Sequence, residues 1–308
     1  MISRLINRRT ALQGIGAALA SGLATAAYGF GIEAPSTRIT RYRMTPPGWP
    51  KGYRVNAAIV TDLHVIEPWM GLKRLRGIVD TTNALGCDIV FLLGDFAGGN
   101  QISRLGQRNA PAQWAAELAR LTAPLGVHAI LGNHDWWDDR EAQRRRAGPT
   151  VAHVALAAVG IPVHENKALR IAHNGGAFWL AGLGDQWAFY PKDRKRRRQM
   201  SFDGVDDLGA TLAQITDDAP VILLAHEPDI FPQVPARVSL TLSGHTHGGQ
   251  ITIFNYSPMV PSKYGSRYIY GHIVEDNRHL IVSAGLGCSV VPFRLGAPPE
   301  IVQLELGV

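Results

Sequence analysis

Seven side chains with metal-donor atoms recur where apolar runs come to an end. Asp62 and His64 follow the run at 53–60, Asp95 follows 88–93, Asn133 follows 127–131, His226 follows 221–224, and His245 and His247 follow 238–242. With His134, five of the eleven histidines lie in these exit segments. Imidazole and carboxylate donors together suit divalent Mn, Fe or Zn better than a thiolate site or an all-oxygen calcium site. In Asp62-x-His64 and His245-x-His247 the two side chains share a face if the chain is extended there, because an extended chain has a period of two. Gly244, Gly248 and Gly249 keep the space around the second pair open. Seven donors exceed what one four-coordinate ion takes. A pair of cations about 3.5 to 4 Å apart, sharing one carboxylate, uses them all, and such a pair activates water and clamps a phosphate. Taken singly, each residue has an ordinary reading: a hydrogen-bonded histidine, a capping aspartate, a turn at Gly132-Asn133. Their joint recurrence at strand exits does not.

The elements that must position these residues follow from periodicity. Strands are predicted at 53–60, 88–93 and 127–131, with helices at 72–85, 112–121, 138–147 and 151–159 between and after them. Extended segments at 168–171 and 178–181 begin a second sheet, 205–215 returns to helix, and 221–224 and 238–242 are again buried strands. From 268 onward, 268–274, 279–283 and 302–306 are extended. Strand-helix alternation followed by a β-rich tail gives an α/β protein, a four-layer α-β-β-α sandwich of two packed mixed sheets with flanking helices. Strand exits are where open α/β sheets collect ligand-binding groups.

At 308 residues, 46% of them apolar, the chain can bury a large core as one catalytic domain. Residues 1–32 are set apart. Arg4, Arg8 and Arg9 precede an uncharged stretch at 11–32, the pattern of an export segment, and Arg8-Arg9 followed by Thr10-Ala11-Leu12 resembles a twin-arginine signal. Its 22 residues also suffice to cross a bilayer, so cleavage near Ala24-Thr25-Ala26 and retention as an anchor both stay open. Residues 33–52 read as a spacer followed by a first extended element, and 53–308 as the catalytic domain. The net charge of +6 falls by three without the leader arginines, too small an excess for a specific nucleic-acid partner. Two cationic clusters, Arg144–Arg146 and Lys192–Arg198, suit either solvated surface or contact with an anionic membrane or envelope polymer. Cys87 and Cys288 lack metal-site spacing and are expected to be unpaired.

The motif set Asp62-Leu63-His64, Gly94-Asp95, Gly132-Asn133-His134-Asp135, His226 and Gly244-His245-Thr246-His247 resembles the calcineurin-like metallophosphoesterase superfamily. Gly248-Gly249-Gln250 and the tail carrying Gly285-Leu286-Gly287, Pro292 and Arg294 resemble an exported or membrane-associated bacterial branch. The resemblance implies one metal held by Asp62, His64, Asp95 and His247, and a second held by Asp95, Asn133, His226 and His245, with Asp95 bridging. It implies His134 as proton donor or transition-state stabiliser beside the substrate, oriented by Asp135. The implied activity is two-metal hydrolysis of a phosphoester, with diesters favoured, in a phosphorylated small-molecule or lipid substrate outside the cytoplasm, reached through the twin-arginine export machinery. The alternatives are a pyrophosphohydrolase of a nucleotide- or lipid-linked envelope precursor and a non-catalytic envelope-binding protein.

Overall fold

The computed structural model describes residues 8–96, 98, 106–199, 201–254 and 256–308; Arg4, counted in the leader, lies outside them. The first sheet contains β1 (Arg38–Met44), β2 (Val55–Val60), β3 (Ile89–Leu92), β4 (Val127–Ala129) and the C-terminal β11 (Glu300–Leu306), in the order β1-β11-β2-β3-β4. The second contains β5 (Lys167–His173), β6 (Gly176–Gly182), β7 (Val221–Leu224), β8 (Leu240–Ser243), β9 (Gly271–Glu275) and β10 (Arg278–Val282), in the order β5-β6-β7-β8-β10-β9. Both are mixed: β2, β3 and β4 are mutually parallel while β11 runs antiparallel to β2, and β6, β7, β8 and β10 are parallel between antiparallel edges.

Alternation along the strands builds the layers. Val55, Ala57 and Ile59 of β2, Ile89 and Phe91 of β3, and Val302 and Leu304 of β11 meet Phe178, Leu180, Ile222, Leu224, Leu240 and Ile281 of the second sheet. The intervening residues of the first sheet, Ala58, Val60, Val90 and Leu92, turn outward to Leu75, Ile78 and Val79 of α2 (Leu72–Ala84), Trp114 and Leu118 of α3 (Pro111–Leu118) and Leu156 of the later helix Val151–Ala158. On the far side, Ala181, Leu223 and Val282 pack under Leu208 and Leu212 of the helix Leu208–Leu212 and under Ile230 and Phe231. The result is the expected α-β-β-α sandwich. Strands buried on both faces need continuous apolar sequence, which is why β3 and β7 contain nothing else. Truncating a ring such as Phe91 to alanine would cost about 3 to 5 kcal/mol.

Residues 33–52 contain a strand of the first sheet. β1 pairs parallel with β11 over its whole length, from Arg38 opposite Glu300 to Met44 opposite Leu306, so this stretch is the edge of the first sheet. Its arginines are largely committed within that edge, Arg43 to Glu305 at 3.0 Å and Arg41 to Gln303 at 3.0 Å. Before it, the helix Arg8–Tyr28 projects from the body with its apolar side chains exposed. Together with the following turn, Leu12–Glu33 is long and apolar enough to cross a membrane, a property an export signal shares. The turn itself docks on the domain: Phe30 meets Phe293 edge-on at 5.0 Å, and the buried Glu33 accepts from the Ala297 backbone N–H at 2.9 Å. Cys87 and Cys288 are both free and buried, as expected.

Candidate metal centre

All seven donors converge past the strand exits, but by a different local geometry from an extended chain. Asp62 (φ 53°), His64 (φ 46°), Asp95 (φ 56°), His245 (φ 70°) and His247 (φ 53°) are left-handed. That conformation is uncommon for non-glycine residues and clusters at functional sites, where surrounding structure must hold it. Here the holding is explicit. The Asp62 backbone N–H donates to Gly94 O at 3.1 Å and the His64 N–H to Asp95 O at 2.9 Å, so the loops leaving β2 and β3 zip together. The His245 N–H donates to both oxygens of Asp62, at 3.0 and 3.1 Å, tying the β8 exit to the β2 exit. Gly132-Asn133 is not a free turn: Gly132 caps a short helix, Asn133–Trp137, whose His134 N–H donates to Asp95 Oδ1 at 2.8 Å.

Asp135 is held by main-chain donors. Its carboxylate accepts from the backbone N–H groups of Asp95 (2.8 Å), Phe96 (3.0 Å) and Gly132 (2.9 Å), which clamps the β3 and β4 exits to each other. With three main-chain donors on it, the buried carboxylate positions the loops that carry Asp95 and His134.

Two donor triads result, Asp62 with His64 and His247, and Asp95 with His226 and His245; within each, the candidate ligand atoms lie within 4.8 Å of one another. Asp95 joins them, since its Oδ2 is 3.5 Å from His64 Nε2 and 3.3 Å from His226 Nε2. Asn133 Oδ1 reaches His245 Nδ1 at 2.8 Å. Whether this set fits a pair of cations is tested by its own atoms. His64 Nε2 and His247 Nε2 face each other at 3.0 Å, and the buried Nε2 atoms of His226 and His245 have no hydrogen-bond partner among the described residues. Buried polar atoms without partners are costly, and a shared cation satisfies them. The opposite ring nitrogens are anchored, His226 Nδ1 on Leu93 O at 2.6 Å and His64 Nδ1 on Gly98 O at 3.2 Å, which leaves each Nε2 as the free donor.

Protonation follows burial and mutual charge. Burial holds His64 and His245 neutral, down at about 3, and takes His247 well below its usual range with help from the Arg294 charge. Burial pushes Asp62 up to about 6 against the opposing charge of His226. Burial also works to raise Asp95, but the positive charge of His226 overcomes it and holds the carboxyl well below its usual range. His226 is the reverse: burial disfavours its charge, and Asp95 and Asp62 override that and raise it. A cation must therefore displace protons from His226 and, below about pH 6, from Asp62. Affinity for Mn2+ is expected to strengthen as pH rises through about 6, by about tenfold per pH unit for each proton released; calorimetric titration at several pH values measures it.

The glycines of the motifs have a steric duty. A methyl at Gly132 would collide with Asp95 Oδ1 and the His226 ring, and one at Gly244 with Thr61 and Asp62. Gly132→Ala is expected to lower metal affinity by at least about tenfold while leaving every donor in the chain, as displaced supporting groups do elsewhere; equilibrium dialysis against Zn2+ reads the loss.

Four further features border the donors. Thr61 donates from Oγ1 to Asp62 Oδ2 at 2.8 Å. Arg294 is fully buried behind His247, its guanidinium 3.2 Å from Nδ1 and donating to the carbonyls of Ala284, Gly287 and Ala297 instead of a carboxylate. Asp185 and Glu227 form a buried acidic pair beside His226; burial and their mutual charge raise Asp185 well above the usual range, and burial takes Glu227 up to about 7. Trp187 packs edge-on against His245 at 4.7 Å and stacks with Phe202 at 4.7 Å, which in turn meets Trp137 at 5.0 Å. Trp137 lies 5.1 Å from the His134 ring, so an aromatic wall borders the donors. The two cationic clusters meet beyond it, where Arg146 and Arg196 share Asp203 at 2.7 and 2.6 Å. Glu227 had the plainest signal, standing directly after His226.

A family model described as calcineurin-like phosphoesterase matches residues 55–249. An uncharacterized metallophosphoesterase of Bacillus subtilis is 29% identical over 98% of this chain and 98% of its own. One from Aquifex aeolicus is 28% identical over 89% of this chain and 94% of its own. A Danio rerio protein named as a transmembrane protein with a metallophosphoesterase domain is 29% identical over 80% of this chain, which spans 52% of that relative.

Proposed function

This chain belongs to the calcineurin-like phosphoesterase family, and from that premise we propose that it hydrolyses a phosphodiester outside the cytoplasm with two divalent ions drawn from Mn, Fe and Zn. The observation that carries the reading is the pair of buried triads joined by Asp95. Asp62, His64, Asp95 and His247 would hold one ion, and Asp95, Asn133, His226 and His245 the other. When bound, such a pair supplies charge for the phosphoryl oxygens and lowers the pKa of a water.

The remaining chemistry belongs to the chain. Asp95 balances charge between the two sites and receives the His134 backbone N–H, which fixes where the His134 ring stands. That ring sits edge-on to His64 at 5.1 Å and half-buried at the mouth, where an imidazole can hand a proton to the departing oxygen. The Trp137 and Trp187 wall excludes water from one side and offers a surface to an organic group. Arg8 and Arg9 begin the exposed apolar helix, which supports delivery by the twin-arginine machinery and association with a membrane.

A second reading, hydrolysis of the diphosphate in a nucleotide- or lipid-linked precursor, is favoured by the same aromatic wall, on which a base can stack. The test is one preparation of the full chain assayed on bis(4-nitrophenyl) phosphate, 4-nitrophenyl phosphate and a UDP-linked lipid, before and after chelation and with Mn2+, Fe2+ or Zn2+ restored. Metal-dependent turnover greatest on the diester supports the proposal; turnover confined to the UDP-lipid moves the function to the second reading, and none on any substrate with both ions bound refutes both.

A further inference from the structure

The exposed apolar residues of the described body concentrate next to the metal centre. Just past His247, Ile253 and Tyr256 exchange backbone hydrogen bonds at 2.9 Å in both directions, a tight turn that leaves Phe254 99% and Tyr256 69% exposed; Met259 follows at 69%. Single exposed apolar residues are ordinary, but this many within seven positions form a patch that water does not favour. The base of this turn is strapped to the segment 293–295, with the Thr252 N–H on Leu295 O at 2.7 Å and the Leu295 N–H on Gln250 O at 3.1 Å. That segment also receives the apolar N-terminal helix: Phe293 packs on Phe30, and the Arg294 N–H donates to Gly29 O at 3.3 Å. The membrane-length helix and the apolar turn therefore leave the domain from one short piece of chain.

Two cavities open beside the same piece. One, of about 270 Å³, runs from His247 to Met259 and is walled by Ile251, Val290 and Val291. The other, of about 170 Å³, runs from His64 to Phe30 and is walled by Trp69, Met70 and Pro292. Each has a candidate metal ligand among its walls together with a residue of an apolar exposed element.

We propose that the turn residues 251–254 and 256–259 and the exit of the N-terminal helix form one bilayer-docking surface, through which a membrane-resident amphiphile presents its phosphoester to the metal centre while its apolar chain occupies the cavity beside His247. The occupant is the bilayer because the adjoining helix is itself of membrane length and apolarity, and because burying an apolar turn at the headgroup boundary is how a tethered domain fixes its orientation. The substrate half of this inference rests on the phosphodiesterase reading; the docking half does not.

The test uses the full chain in vesicles of phosphatidylethanolamine and phosphatidylglycerol. An environment-sensitive dye is placed at Phe254→Cys, with Asp218→Cys, at the opposite strand ends, as the water reference; the native cysteines are buried. Brominated acyl chains are expected to quench the dye at 254 and not at 218. Equal quenching, or a dye at 254 already shielded without vesicles and untouched by bromine, overturns docking, the latter by assigning the face to a second copy of the chain. In the kinetic arm, 4-nitrophenyl hexadecyl phosphate is expected to exceed the ethyl ester in kcat/KM by at least about tenfold. Phe254→Ser with Tyr256→Ser should remove that preference while ethyl-ester turnover stays unchanged, which separates docking from a folding defect. Equal kcat/KM for the two esters overturns the substrate half. Turnover of neither ester refutes the phosphodiesterase reading and with it the substrate half, while the quenching result still decides the docking half.

Discussion

Asp95→Asn is expected to lower kcat by at least about a thousandfold, on the order of 4 kcal/mol of barrier, and to reduce bound metal by one ion or more per chain. Asp95 lies close to both triads, 3.5 Å from His64 Nε2 and 3.3 Å from His226 Nε2. An amide keeps the shape and can still accept the His134 N–H, so the loop should survive. The charge does not. Without it, His226 has Asp62 as its nearest carboxylate at 4.0 Å, and two cations would face each other with one fewer anion between them. Buried charges that lose a partner cost far more than surface ones. Metal analysis of the purified variant, with circular dichroism to verify folding, separates loss of ligation from loss of structure; two retained ions with near-normal turnover would remove Asp95 from the bridging role.

Much of this was legible before any coordinates because metal donors and apolar runs are both local signals. Ile89–Leu92 reads as a strand and Asp95 as its exit whatever the rest of the chain does. The pairing of β1 was not legible, since its partner, Glu300–Leu306, lies at the other end of the chain. The extended geometry assumed for Asp62-x-His64 gave the right convergence for the wrong reason. β2 stops at Val60, and a left-handed turn does the aiming, enforced by hydrogen bonds to Gly94 and Asp95 that no spacing rule reveals. Asp135 has a further duty that adjacency to His134 does not reveal: its carboxylate accepts from the N–H groups of Gly132, Asp95 and Phe96. The tryptophans illustrate the remaining gap. Trp136 and Trp137 are neighbours, yet Trp136 is buried against Phe189 and only Trp137 reaches the wall beside His134, a division set by helical rotation.

The other large effect concerns His134, and its size should depend on the substrate. Its backbone, not its ring, is bonded to Asp95, and its ring has no carboxylate partner among the described residues. His134→Gln should therefore leave both ions bound while lowering kcat by about 10²- to 10³-fold on a diester whose leaving group is an alkoxide. A 4-nitrophenolate departs without needing a proton, so on aryl diesters the loss should shrink to about tenfold. A ring that only shaped the cleft would slow both classes equally, and one that ligated metal would reduce the metal count. The ratio of the two losses, measured on metal-saturated protein, thus reports proton donation itself.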